Sequence, residues 1–294
     1  MPPQASEDFY RTLQRLQLVL VAAGRRAWSR MRPDFDPSWA EVAPSLVTVT
    51  AASQLAAARA ATEYMPAVLA ETEQPDRPEA RVRPRAFAGV ASDGRSLVGL
   101  LEGSVRQAKV ASGRGMAADD ALAYGGRWLE MALQTAVEDA ARDATAAEIV
   151  VRQNMGWVRM INPPCCSRCA VLAGKWYRWN DGFLRHPRCD CVHIPTVENA
   201  ADDYVTDPQL LVQRGLITDL SKAQQGRLSE GADLTRVLNE SRDAWRARMA
   251  VERKKKARET ATVPPPAASV NDFLSRLTSR VDAINEMRAA GFVD

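Results

Sequence analysis

All five cysteines and both histidines of this 294-residue chain fall between Cys165 and His193. Scatter along a chain of this length does not gather seven such residues into one short window, so the window is expected to fold around them. Within it, Cys166-Ser-Arg-Cys169 is a C-x-x-C knuckle, and after sixteen intervening residues His186-Pro-Arg-Cys189 repeats the two-residue gap with an imidazole and a thiol. Two short turns that each present a ligand pair make a tetrahedron, and three thiolates with one imidazole suit zinc, a borderline-soft ion. Cys191 lies two residues beyond Cys189, so on an extended chain both point the same way and compete for the fourth position. Cys165 is left to pack as a small hydrophobe. The candidate ligands are therefore Cys166, Cys169, His186, Cys189 and Cys191, and the expected cofactor is a structural zinc ion that staples a segment with thin hydrophobic content.

Competing uses of the same residues were weighed. A C-x-x-C pair also serves redox chemistry, and five thiols is an odd number for disulfides. Four strong ligands leave no open position for an activated water, and no H-E-x-x-H or H-x-E with P-C-x-x-C pattern supplies a general base. No catalytic residue is assigned and no small-molecule substrate is expected.

The flanking sequence reads as helical. Phe9, Leu13, Leu16, Leu20 and Ala27 recur at helical spacing over Ser6 to Met31, with acids in the first turn and arginines in the last. Pro33 stops that helix, Asp36-Pro37 starts a short turn or helix, and Ser45 to Ala70 reads as a long helix kinked near its end by Pro66. After a proline-punctuated connection over Gln74 to Arg85, helices are expected over Ser96 to Ala111 and Ala117 to Arg142. Short aromatic or β-branched runs at Trp157–Ile161, Lys175–Trp179 and Cys191–Pro195 then suggest strands. Helical candidates follow at Asp207 to Gly215, Ser221 to Asn239 and Val270 to Ala290. The last of these sets Phe273, Leu274, Leu277, Val281, Ile284 and Met287 on one side, a face expected to dock in a groove of another protein or, equally, on this chain's own helices.

The expected fold is mainly α with a small α+β insert. It divides into an N-terminal helical region (1–95), a compact zinc-stapled domain (96–200), a short helical tail (201–241), a basic and Pro-rich linker (242–266) and a C-terminal amphipathic helix (267–294). Leu18 to Ala23, the longest apolar run near the start, is far short of the roughly 20 residues that cross a bilayer, so no membrane role is expected. Ser6, Glu7 and Asp8 stand where a secretory leader would be basic, which points to the cytoplasm.

With 39 basic against 36 acidic residues, the net charge of +3 does not mark the whole molecule as a nucleic-acid binder. The charge is local instead. Arg246, Arg248, Arg253, Lys254, Lys255, Lys256 and Arg258 make a run that reads either as a solvated tether or as a DNA-phosphate-binding arm. The cysteine window is itself basic, through Arg159, Arg168, Lys175, Arg178, Arg185 and Arg188, and part of that charge is expected to offset the thiolates. Its aromatic residues, Trp157, Trp176, Tyr177 and Trp179, are read as core rather than as a base-stacking platform.

Cys166-x-x-Cys169, Leu172-Ala-Gly174-Lys175-Trp-Tyr177 and His186-Pro187-Arg-Cys189-Asp-Cys191 together resemble the MuF-type (phage Mu F-like) head morphogenesis domain of tailed bacteriophages. Gly182-Phe183 before Arg185-His186, and His193-Ile194-Pro195 after the last cysteine, look like the version found in phages of actinobacteria. Gly231-Ala232-Asp233-Leu234 followed by Val237-Leu238-Asn239 is similar to the helical tail of those proteins, so the resemblance covers about residues 100–240. It implies a minor capsid protein inside the head near the portal, made in the host cytoplasm. Its implied partners are the portal protein, other head proteins and packaged DNA. Some relatives carry a protease or toxin domain; here both histidines sit in the zinc-like window, which leaves none for a Ser-His or Cys-His centre. The reading from a different class is a zinc-dependent nucleic-acid-processing enzyme or DNA-binding regulator.

Overall fold

The computed structural model describes residues 1–239, 274 and 276–294. Four long helices come first: α1 (Gln4–Trp28), α2 (Phe35–Glu71), α3 (Leu97–Gly113) and α4 (Ala118–Val150). A three-stranded antiparallel sheet follows, β1 (Met155–Met160), β2 (Trp176–Arg178) and β3 (Val192–Val197), in the order β2-β1-β3. Short helix α5 (Ser167–Leu172) lies between β1 and β2 in the chain, α6 (Pro208–Gln213) and α7 (Lys222–Ser229) come after β3, and α8 (Arg280–Ala289) closes the described chain. The protein is thus mainly helical with a small antiparallel sheet, as the sequence predicts. Among the described residues no helix is long and apolar enough to cross a membrane.

Helix α4 is the organising element, packed against α1, α2 and α3 at one end and against the sheet at the other. Leu13 and Leu20 of α1, Leu46 and Met65 of α2, Leu101 of α3 and Leu129 and Leu133 of α4 are buried together. Small residues let the helices approach closely. A Cβ on Gly125 would lie 2.7 Å from the Ser104 carbonyl oxygen, so α4 crosses α3 there only because no side chain intervenes. The sheet rests on the bundle through Tyr64, whose hydroxyl donates to the His193 carbonyl at 2.9 Å and lies 2.6 Å from Ser6 Oγ.

Three expectations about helix limits are corrected. The short turn or helix expected at Asp36-Pro37 and the long helix expected over Ser45 to Ala70 are one element: α2 runs unbroken through Pro37, Pro44 and Pro66. Each internal proline removes one donor, and the long buried face from Trp39 to Leu69 outweighs that loss. Helix α4 ends at Val150, eight residues past Arg142. Its final turns look like surface in sequence, yet Glu138, Asp139, Arg142, Asp143 and Glu148 are all buried, with Glu138–Arg142 and Glu148–Arg152 paired four residues apart.

The third correction concerns the C-terminal helix. Ser279 caps α8 through the Asp282 N–H, which resets the helical phase and leaves Val281 62% exposed. Leu274, Ile284 and Met287 are buried in this chain's own core, so those anchors are not free for a partner; Phe273 lies outside the described residues. Of the two expected uses of this face, packing on the chain itself is the one found. The end is further tied down by the Phe87–Phe292 ring contact, the Val82–Val293 bridge and the Arg83–Asp294 ion pair at 2.6 Å.

Arg280, at the first turn of α8, donates to the carbonyls of Ile149 (2.9 Å), Val150 (3.2 Å), Arg152 and Met155 (2.9 Å), which satisfies the C-terminal end of α4 and the turn into β1. Arg280→Met leaves those acceptors without their cation. It is expected to cost about 2 kcal/mol, a fall of roughly 4–8 °C in Tm, measured by thermal unfolding followed by circular dichroism.

Candidate metal centre

The first ligand pair sits on α5. Cys166 is its N-cap, in extended conformation, and its Sγ accepts the Cys169 N–H at 3.3 Å, so the first helical turn brings both sulfurs to one side. The second pair sits on the turn before β3. There the Cys189 N–H donates to the His186 carbonyl at 3.0 Å, and Arg188 takes a left-handed conformation with φ of 63°. His186 Nδ1 lies 2.8 Å from the Pro187 carbonyl, a contact that aims Nε2 at the sulfurs. Nε2 is 3.1 Å from Cys166 Sγ and 3.7 Å from Cys169 Sγ, and Cys169 Sγ is 3.7 Å from Cys189 Sγ. Thiolates bound at 2.3 Å in a tetrahedron stand about 3.8 Å apart, so these separations suit a shared cation.

All five expected ligands come together, as two trios that share Cys169: Cys166, Cys169 and His186 in one, Cys169, Cys189 and Cys191 in the other, with the donor atoms of each trio within 4.8 Å of one another. The cluster can hold a metal ion. All five thiols are free of disulfides. Cys165 belongs to neither trio; it is buried, its backbone pairs with Leu216 and Thr218, and burial pushes its thiol up to about 11.

The sulfurs share protons unevenly. Hydrogen bonding from Cys169 and the nearby imidazole draw the Cys166 thiol down to about 6. Cys189 is drawn far below the usual thiol range by hydrogen bonds from Cys169 and Cys191 and by the Arg142 charge. Cys169 is correspondingly raised by donating to its neighbours, and Cys191 is pushed up to about 12 against the pull of Cys169, through its bond to Cys189 and its burial. Burial works against a charge on His186, but the Pro187 carbonyl and the Cys166 thiolate outweigh it and raise the imidazole. Such a set, part thiol and part thiolate, is poised to exchange its protons for a cation.

Around the sulfurs lies a layer that no local motif announces. Arg142, 4% exposed on α4, donates to the carbonyls of Cys189 and of Cys191 (2.9 Å) while its other contacts are Glu138 (3.1 Å) and Asp139 (3.2 Å). Burial pushes the Glu138 carboxyl up to about 8 against the pull of Arg142. Asp139 also accepts from Ser92 (2.7 Å) and Arg185 (2.5 Å). Asp219 receives the Ser167 N–H at 2.7 Å and hydroxyl at 3.1 Å, and the Asp190 carboxylate accepts from the Tyr10 hydroxyl at 3.0 Å. Gln14, Gln17 and Glu138 line a cleft of about 370 Å³ beside the sulfurs. Gln14, Gln17, Tyr10, Ser92, Glu138, Asp139, Arg142 and Asp219 come from outside the cysteine window, too far along the chain for spacing to reveal.

Trp157 and Tyr177 are core, as expected, while Trp176 and Trp179 are half-buried and pack against it. Trp157 stacks on Tyr177 with centroids 4.2 Å apart and on Phe183 at 5.0 Å, leaving no face of the buried indole for a base. His193, the second histidine, is buried outside the cluster, edge-on to Trp157, and burial together with Arg159 and Arg142 holds its imidazole well below the usual range. The basic run Arg246, Arg248, Arg253, Lys254, Lys255, Lys256 and Arg258 lies outside the described residues. Comparison with known proteins returns no match: no family model, no curated protein and no solved structure is matched by this chain.

Because Cys169 belongs to both trios, Cys169→Ser is expected to weaken cobalt(II) uptake by well over tenfold, while Cys165→Ser leaves it within about twofold. Titration of the metal-free full chain, followed by the thiolate-to-cobalt absorption, checks the contrast.

Proposed function

We propose that the chain is a minor capsid protein of a tailed bacteriophage, of the MuF head morphogenesis type, and that its cluster holds one structural zinc ion. The observation that supports this reading is the convergence of the resemblance-bearing residues. Cys166, Cys169, His186, Cys189 and Cys191 gather in two adjoining trios that share Cys169, and Trp176 and Tyr177 form a strand of the same small sheet. Zinc would supply a cross-link between the α5 knuckle and the loop before β3, replacing shared protons with four strong bonds. Cys166, Cys169 and His186 would hold it together with Cys189 or Cys191. The role in this reading is structural: Arg142 donates to the Cys189 and Cys191 carbonyls and Asp219 accepts from Ser167, so both hold the ligand-bearing loops in place.

In this reading the exposed faces of the helical bundle offer contacts for the portal and other head proteins inside the capsid, and the basic run 246–258 meets packaged DNA. The cleft beside the sulfurs favours the other reading, a zinc-dependent enzyme acting on nucleic acid. Hydrolysis or deamination of single-stranded DNA by the zinc-loaded chain, abolished by Cys169→Ser, would establish that reading in place of the first.

Two outcomes are expected. Heads purified from a host that makes the chain together with the portal, scaffold and capsid proteins of its phage should contain it at a few copies each by quantitative mass spectrometry; its absence from heads defeats the proposal. Binding of the full chain to duplex DNA should be independent of sequence and fall steeply between about 50 and 200 mM salt. Replacing Lys254, Lys255 and Lys256 by Gln should flatten that slope, as read by fluorescence anisotropy.

A further inference from the structure

Arg159 stands on the central strand β1 with 0% exposure, opposite His193 in the β1–β3 register. A guanidinium does not lose its proton in a protein, so burying one requires an anion or a full set of acceptors. Among the described residues no carboxylate lies within ion-pairing distance of Arg159, which distinguishes it from the other two arginines buried alongside, Arg142 and Arg152, both paired with carboxylates. Its partners are of another kind. Nη2 donates to the Leu184 carbonyl at 2.5 Å, the plane lies over the Phe183 ring at 3.8 Å, and Nη1 points at Cys169 Sγ (4.0 Å) and Cys189 Sγ (3.9 Å). Nε has no acceptor. The sulfurs are the anions within reach of this cation.

We propose that Arg159 is the built-in counter-ion of the metal–thiolate centre, and that its donation to Cys169 and Cys189 selects Cys189 over Cys191 as the fourth ligand beside Cys166, Cys169 and His186. This rests on the reading of the cluster as a metal site. The charge count supports the assignment. A divalent ion with three thiolates and a neutral imidazole carries a net charge of −1, and one guanidinium cancels it. Arg142 is paired with Glu138 and Asp139 and its hydrogen bonds go to the Cys189 and Cys191 carbonyls, whereas those of Arg159 reach the sulfurs themselves. A fourth thiolate in the first layer would leave a buried negative charge with no cation of its own. Phe183 and the Leu184 carbonyl hold the guanidinium in the plane that directs Nη1 between the two sulfurs, so its position is set before any metal arrives.

The test uses the full chain loaded with zinc, its release to a chromophoric chelator timed by absorbance, and a cobalt(II)-loaded sample for the thiolate-to-metal band. Arg159→Met is expected to keep one metal per chain, to release zinc about tenfold faster or more, and to move the cobalt band to lower energy as the sulfurs lose their donor. Arg159→Lys, which restores the charge without the planar fork, should fall between Met and wild type in both. Cys189→Ser should lose tight binding and Cys191→Ser should retain it within about twofold of wild type. Wild-type release and an unshifted band in Arg159→Met overturn the proposal; where that variant does not fold, the same result in Arg159→Lys overturns it. Loss of the metal in Cys191→Ser with retention in Cys189→Ser overturns the ligand assignment, as do two ions per chain. A wild-type chain that takes up no metal is a distinct result, which removes the metal reading itself and this inference with it.

Discussion

The guanidinium of Arg142 has no water to turn to, so every one of its N–H groups must find an acceptor inside the protein, and the acceptors it finds come from both halves of the molecule. Two are carboxylates on its own helix, Glu138 and Asp139, and two are the backbone carbonyls of Cys189 and Cys191. A buried cation that loses part of this set pays a desolvation cost of several kcal/mol. The bundle and the cysteine loop are therefore joined by the demand of one charge for complete solvation by protein. Asp139 extends the join by receiving Ser92 and Arg185, and the Glu148–Arg152–Asp76 chain repeats it one turn before the sheet begins.

Seen from this layer, the cluster has two kinds of support. The knuckles orient their own donors through local geometry, the Cys166 cap and the His186–Pro187 contact, which belong to a few consecutive residues. Their relative placement belongs to distant residues: Arg142 from α4, Tyr10 from α1 holding Asp190, and Asp219 holding Ser167. A metal bound between them would cross-link segments the apolar core has already brought close. That is the arrangement expected of a staple on an existing fold, in contrast to a zinc finger, whose small core needs the ion to form at all.

The residues that could be read in sequence are those whose chemistry is local and rare. C-x-x-C and H-x-x-C spacings name a ligand set because each pair needs only one turn of backbone. Helical periodicity in α1 is legible because one face is apolar and the other charged. The reading fails where burial and charge part company. From Asp139 to Glu148 the chain carries acids and an arginine, the mark of a solvated helix end, and these residues lie inside. The spacing from Leu277 and Ile284 puts Val281 on an apolar face, but the cap at Ser279 begins a new helix whose phase no longer carries it inward.

The sequence by itself determined the helical class, the short strands and the identity of the five donors, since hydrophobic period and ligand chemistry are properties of neighbours along the chain. Only the tertiary structure decided that the donors form two trios hinged on Cys169, that the C-terminal helix seals this chain's own core, and that Arg159 faces sulfur rather than carboxylate. The physical reason is the cost of burying charge. Which cation meets which anion is settled where distant segments exclude water together, and no spacing along the chain records that meeting.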